Sequence, residues 1–529
     1  MPTDCISYQD SGYFSPLMND YLNQKDTLNK LYNRFPTLEN FGKQLQEKSA
    51  NFSNGNRALL VKALQEQYSK INISDLTAQN INLLQSTHTF TITTGHQLNL
   101  FSGPLYFLYK IISTINLTKE LKAKYPDNDF VPIYWMATED HDFEEINYFN
   151  FKGKKFRWNK ESTGPVGRLS TEGLSEFFDI YQQELGTSTN AEQLKKIFTK
   201  SYLEHDNLAD ATRYLANALF GDFGLVILDA DSTDLKRSFI PFVKDELVQH
   251  TSHKAVLETT EQLQEYNIQV NPREINLFYI EDTVRERIIL ENDVYKINNT
   301  KQEFSLEQIL VLLESNPERF SPNVIMRPLY QEVILPNLCY IGGGGEIAYW
   351  LELKSFFDAV KVTFPMLLVR NSVLLATEKQ AKKADKLNLN WTDLFSKQMN
   401  LVNKKTAQLS AFSIDMSPLK EQLKQQFETL HLITEQTDTS FVGAVKAQET
   451  KQLKGLDNLE KRLLRAQKRK LADVLERVTD LQNELFPNKS LQERQTNFSE
   501  FYLENGEKLI STLLKQLKPL DQNFTITIL

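Results

Sequence analysis

Five short apolar runs punctuate the chain: Thr89–Thr94, Val131–Ala137, Leu225–Leu228, Leu338–Ile341 and Val362–Val369. Each leads into a polar or glycine-rich cluster. In order these are Gly95-His96-Gln97, Glu139-Asp140-His141-Asp142, Asp229-Ala230-Asp231, Gly342 through Gly345 with Glu346, and Arg370-Asn371-Ser372. Continuous apolar runs fit strands buried on both faces of a parallel sheet; a half-exposed strand would alternate. Between the first two runs, Leu105, Tyr109, Ile112, Ile115 and Leu117 recur at helical spacing behind Pro104, which suits a first helical turn. That helix should run to about Lys124 and complete a strand–helix–strand crossover. An open parallel sheet binds ligands outside the carboxyl ends of its strands. The five clusters should therefore share one edge, and an α/β enzyme is expected.

The remaining pattern divides the chain in three. Residues 1–87 read as a helical segment packed on the core, with helical spacing over Leu28–Phe35, Leu38–Leu45 and Arg57–Tyr68. Residues 88–371 form the sheet core with two insertions. One, near 143–170, is short and aromatic; the other, near 271–300, alternates apolar and polar residues like an antiparallel meander. From Ser372 to about Phe486 long polar helices are expected. Leu464, Gln467, Leu471, Val474, Val478, Leu481 and Leu485 keep a seven-residue register, the mark of a coiled coil. Residues 372–529 thus read as a helical coiled-coil arm, antiparallel and a candidate homodimer contact, with Phe524–Leu529 returning as a strand.

Composition narrows the function. A net charge of -8 argues against general nucleic-acid binding. The two cysteines, Cys5 and Cys339, allow neither a disulfide framework nor a cysteine-built zinc site, and no metal is assigned. Met1 to Cys5 lacks the features of a secretory leader, and no stretch approaches a membrane span, so a cytoplasmic protein is expected.

The clusters suggest chemistry. Thr94, Gly95, His96 and Gln97 stand at a strand-to-helix junction, where glycine allows close backbone approach and the helix start offers N–H groups to an anion. His96 could act as acid or base near neutral pH, or simply cap the turn. In the tetrad, three carboxylates around His141 should raise its pKa. Glu139, Asp140 and Asp142 could bind a cation, hold a substrate ammonium group, or form a structural network. Asp229-Ala230-Asp231 resembles the DxD motif of some sugar-nucleotide transferases, although helix capping by Asp231 or Ser232 explains it equally well. Gly342, Gly343, Gly344 and Gly345 with Glu346 fit a ligand-facing loop before a helix. Arg287, Arg327 and Arg370, with Asn371 beside the last, could clamp an anion or pair locally. Cys339 reads as a core residue.

Together the motifs resemble a known family. Thr94-Gly95-His96-Gln97 through Leu100-Phe101-Ser102-Gly103-Pro104-Leu105-Tyr106, and Tyr134-Trp135-Met136-Ala137-Thr138 through Glu145, are similar to the bacillithiol-biosynthesis cysteine-adding enzymes. Gly164 through Arg168, Arg327-Pro328-Leu329-Tyr330-Gln331, Leu335-Pro336 and the stretch from Gly342 to Trp350 continue the match in order. The resemblance implies a Rossmann-like core similar to class I aminoacyl-tRNA synthetases, with connecting-peptide insertions and a coiled-coil arm used in dimerisation. It implies a ligase that adds L-cysteine to the amino group of glucosaminyl malate, with ATP as the expected activator. Gly95 and His96 would face the activating phosphates. The Glu139–Asp142 cluster would hold an ammonium group or relay a proton, and Gly342–Glu346 would receive nucleotide or sugar. Two departures stand out: Gly344 replaces a proline common among relatives, and Arg370-Asn371-Ser372 occupies the place of a lysine-rich synthetase loop. A sugar-nucleotide-dependent glycosyltransferase is the alternative.

Overall fold

The computed structural model of the chain describes residues 4–529; Met1, Pro2 and Thr3, part of the stretch read for a leader, lie outside the described residues. Its centre is a five-stranded sheet. We label its strands and three neighbouring helices β1 (Thr89–His96), α1 (Tyr106–Lys124), β2 (Asp129–Met136), β3 (Val226–Asp229), α2 (Met326–Ile334), β4 (Asn337–Gly342), α3 (Gly344–Leu351) and β5 (Met366–Val369). The spatial order is β5-β4-β1-β2-β3, with every neighbouring pair parallel. All residues of β1, β4 and β5 are buried, which explains their unbroken apolar character. The chain builds outward from β1 through β2 to β3, then crosses back to place β4 on the other side of β1. That reversal opens a crevice between β1 and β4 at the carboxyl edge.

Both insertions stand at this edge. Tyr148–Phe151 and Lys154–Arg157 form a hairpin whose turn residues, Lys152 and Gly153, have φ of 48° and 74°, the two-residue geometry that matches strand twist. Leu277–Glu281, Val284–Glu291 and Val294–Ile297 form the meander, extended by Glu303–Phe304 and Phe320–Pro322 into a five-stranded antiparallel sheet.

Three local expectations change. The segment 28–35 is not a helix: a short turn at Asp26–Leu28 is followed by irregular chain that still buries Leu28, Leu31, Tyr32 and Phe35. Pro104 precedes the first helical residue of α1 by two positions. Ser372–Ala376 is a buried strand, parallel to Asn523–Ile528, with Asp4–Ser7 added antiparallel on the far side.

The arm is an antiparallel pair within one chain, Ser417–Thr434 against Thr439–Lys470. Lys420 pairs with Asp457 and Glu460, and His431 with Glu449, which fixes the antiparallel register. The seven-residue register divides at Leu471, where the helix breaks. Leu464 and Gln467 stay on the arm, whereas Val478, Leu481 and Leu485 are buried against the body. No described helix is long and apolar enough to cross a membrane.

Candidate functional site

A cavity of about 980 Å³ opens at the crevice between β1 and β4. The ends of β1, β2 and β4, helices α1, α2 and α3, and the meander all contribute to its wall. Of the residues singled out in the sequence, Gly95, His96, Gln97, Glu139, Asp140, Arg287, Arg327, Gly343, Gly345, Glu346 and Arg370 line it. Its base is a buried network that joins the two strand ends. Lys110, on the inner face of α1, pairs with Glu346 at 2.6 Å and donates to the Gly95 carbonyl at 2.7 Å. Glu346 also accepts from the Tyr340 hydroxyl at 2.7 Å and from the Gly343 N–H at 2.8 Å. Burial works to raise the Glu346 carboxyl, but Lys110 and these two donors outweigh it and hold the group ionised, below its usual pKa. Burial in turn lowers the Lys110 ammonium, despite Glu346. A side chain at Gly95 would begin 3.1 Å from the Tyr340 hydroxyl, so any larger residue would have to push that hydroxyl aside. The first turn of α3 leaves N–H groups without helical partners at this same place.

His96 is 7% exposed, and its Nε2 is buried without a hydrogen-bond partner. Burial, reinforced by Lys110, pushes its pKa down to about 3. At neutral pH it is therefore an uncharged hydrogen-bonding group, not the near-neutral acid or base its type suggested; a bound anion would shift it upward. Arg327 stands nearby with neutral hydrogen-bond partners, the Tyr349 hydroxyl at 3.3 Å and the Gln331 amide oxygen at 3.2 Å. Its guanidinium lies 5.6 Å from the Tyr340 ring and 5.9 Å from the Trp135 ring. Seven basic side chains and four carboxylates line the cavity. Two of those carboxylates are already committed, Glu346 to Lys110 and Glu139 to Lys236 at 2.5 Å. The cavity is thus suited to anionic ligands.

The acidic tetrad is split. Asp140 lines the cavity and accepts from Gln97 at 3.0 Å. Glu139 turns inward to Lys236, and Asp142 is exposed. His141 is on the rim rather than among the lining residues: its Nδ1 meets Arg285 Nη1 at 2.7 Å, and its ring packs on Phe278. The expected rise in its pKa is reversed, because burial and Arg285 lower it and outweigh Asp140 and Asp142.

Several other candidates do not reach the cavity. Thr94 donates to the Ile341 carbonyl and stitches β1 to β4. Gly342 packs against Tyr340 and Glu346, and Gly344 faces Phe14 and Met18 of the N-terminal segment. Asn371 accepts from Ser113 and donates to the Lys518 carbonyl. Asp229 is half-buried, accepting from Thr138 at 2.5 Å with Arg213 at 3.8 Å. Asp231 is gripped by two Arg168 nitrogens at 2.9 and 3.0 Å and by Lys236 at 3.2 Å. Both carboxylates of the DxD motif thus hold internal cations, and Ser232 makes no side-chain cap. Lys110, Arg285 and Arg494 line the cavity without having been singled out. Lys110 had one local signal, a lone cation inside the otherwise apolar stretch from Tyr106 to Ile112.

Fold and site together define a two-domain α/β protein, a Rossmann-like sheet domain that carries an anion-suited cavity, followed by a coiled-coil domain. The family model "Bacillithiol biosynthesis BshC, N-terminal Rossmann-like domain" matches residues 1–371, and "Bacillithiol biosynthesis BshC, C-terminal coiled-coil domain" matches residues 373–529. The chain is 74% identical to a Flavobacterium johnsoniae protein and 63% identical to one from Flavobacterium psychrophilum, each alignment covering 99% of both chains. A Cytophaga hutchinsonii protein is 37% identical over 97% of this chain and 96% of its own. All three carry the name "Putative cysteine ligase BshC". This chain belongs to the bacillithiol-biosynthesis BshC family.

Proposed function

We propose that the chain is a ligase that joins the carboxyl group of L-cysteine to the amino group of glucosaminyl malate, forming bacillithiol. The observation that carries this reading is full-length similarity, at 74% identity, to a protein named as a cysteine ligase. The cavity's chemistry supports it. Glucosaminyl malate carries two carboxylates, and Arg327, with only neutral hydrogen-bond partners, can take one through two parallel bonds. Amide formation from a free carboxylate is uphill in water, so the cysteine carboxyl must be activated, and ATP is the cosubstrate this reading names. The open first turn of α3 at Gly343–Gly345, with Lys110 and Arg370, suits its phosphates. With the carboxyl activated as an acyl adenylate, the C–N bond forms as the bond from the carbonyl carbon to the AMP oxygen breaks; AMP leaves and the attacking amine loses a proton. Asp140, on the cavity wall beside Gln97, is the carboxylate placed to take it. Neutral His96 would orient a substrate oxygen or ammonium group without adding charge.

The reading also takes the protein to be cytoplasmic and a homodimer through its arm, whose outer end exposes Leu432, Ile433, Phe441 and Val442. The test is to incubate the purified protein with cysteine, glucosaminyl malate and ATP and to follow bacillithiol by mass spectrometry. Product that depends on His96 and Arg327 is expected. No product, even after supplementation with cell extract, would reject the assignment.

A further inference from the structure

The segment that returns from the arm contributes Arg494 to the cavity wall. Glu493, 1% exposed, accepts from Arg370 Nη1 at 3.1 Å and Nη2 at 2.7 Å, and from the Val373 N–H at 3.0 Å. With both terminal nitrogens held, Arg370 keeps a buried Nε that has no partner. That nitrogen is 3.9 Å from where a side chain on Gly343 would begin. Four residues further on, fully buried Asn497 donates to the carbonyls of Phe101 at 2.8 Å and Gly103 at 2.6 Å, and Thr496 accepts from the Leu105 N–H at 2.9 Å. These bonds hold a strained loop, with φ of 47°, 68° and 61° at Phe101, Ser102 and Gly103, in the connection that follows His96. Between these two anchors, exposed Arg494 reaches the cavity wall. Tyr106 lines the cavity with it, and the Arg370 guanidinium is 5.2 Å from the Tyr106 ring.

We propose that Arg494, supplied by the C-terminal domain, is a binding residue of this site and takes a substrate oxyanion together with the free Nε of Arg370. The shared chemistry is a phosphate or carboxylate oxygen. The proposal rests on the ligase reading only for which substrate brings that oxyanion. Because Glu493 and Asn497 fix the segment on either side, the coiled-coil domain completes the site in addition to carrying the arm.

Calorimetric titration of the full-length protein with inorganic pyrophosphate and, separately, with L-malate tests this. Arg494→Ala should weaken one probe by roughly tenfold or more, as loss of a charge-assisted hydrogen bond does. Arg494→Lys should fall between it and the parent, and Lys489→Ala, which removes an exposed cation from the same segment, should match the parent. Weakened pyrophosphate would identify a phosphate oxygen, weakened malate a carboxylate. Unchanged affinity for both probes in Arg494→Ala, equal weakening by Lys489→Ala, or no binding of either probe by the parent would overturn the proposal. Thermal melts confirm that each variant is folded. Neither probe needs turnover, so a protein inactive as a ligase would still give a decisive answer.

Discussion

Along one edge of the same sheet, the ends of β1 and β4 and the ends of β2 and β3 treat charge in different ways. At β1 and β4 the Lys110–Glu346 and Arg370–Glu493 pairs are closed as well, but His96 Nε2 has no partner, Arg327 has only neutral hydrogen-bond partners, and the first turn of α3 opens onto the cavity. At β2 and β3, Glu139, Asp229 and Asp231 are held by Lys236, Arg213 and Arg168. From sequence the acidic clusters look more reactive, since they carry more titratable groups. The structure teaches the reverse. Dense charge near a strand end tends to be neutralised from within, and the site forms where hydrogen-bonding capacity is left open beside the sheet's reversal point.

The contrast can be broken most severely through Asp231. Asp231→Ala removes the carboxylate shared by Arg168 and Lys236, leaving Lys236 with Glu139 alone and Arg168 with exposed Asp282, so about 1.5–3 kcal/mol of stability should be lost in urea unfolding. The fraction that remains folded should keep its specific activity. A matching loss of kcat/KM in folded protein would move the site toward β3. Arg327→Met should do the opposite, lowering kcat/KM on the order of 100-fold while the melting temperature barely moves. Full activity in that variant would remove the main anion contact on the β4 side.

Acid stability sharpens the same distinction. The native state holds His96 neutral down to about pH 3, whereas the unfolded chain protonates it near 6.5. Folding stability from this group is therefore present above pH 6.5 and is lost as pH falls toward 3, with about 2 kcal/mol gone at pH 5. Relative to the parent, His96→Gln should lose less stability between pH 7.5 and pH 5 by that amount. Parallel curves would mean the imidazole is protonated in the folded protein. The smallest effect is expected on the arm. Lys420→Ala removes a surface pairing with Asp457 and Glu460 and should leave the unfolding midpoint and turnover close to the parent's.

Much of this architecture was legible because parallel strands buried on both faces write continuous apolar runs, and each of the five runs contains or overlaps a strand of the central sheet. The polar residues after them located His96 and the glycine bend at a common edge. Partners brought together over long sequence distances were not legible. Glu493 reaches Arg370, and Asn497 reaches Phe101 and Gly103, with nothing in the local pattern to announce either. Arg285 was hidden in a hairpin that reads as an ordinary alternating strand. Leu471 kept a perfect seven-residue spacing across a break, because the residues before it serve the arm and those after it serve the body. Ser372–Ala376 was mistaken for the start of the helical region because its partner strand, Asn523–Ile528, closes the chain.

The most direct measurement is a crystal structure of the protein soaked with cysteine and a non-hydrolysable ATP analogue. Density for the nucleotide phosphates is predicted against Gly343–Gly345, within reach of Lys110 and Arg370, with the amino acid between His96 and Asp140. Nucleotide bound at Asp229 and Asp231, or anywhere outside the crevice between β1 and β4, would contradict the assignment of this cavity as the reaction site.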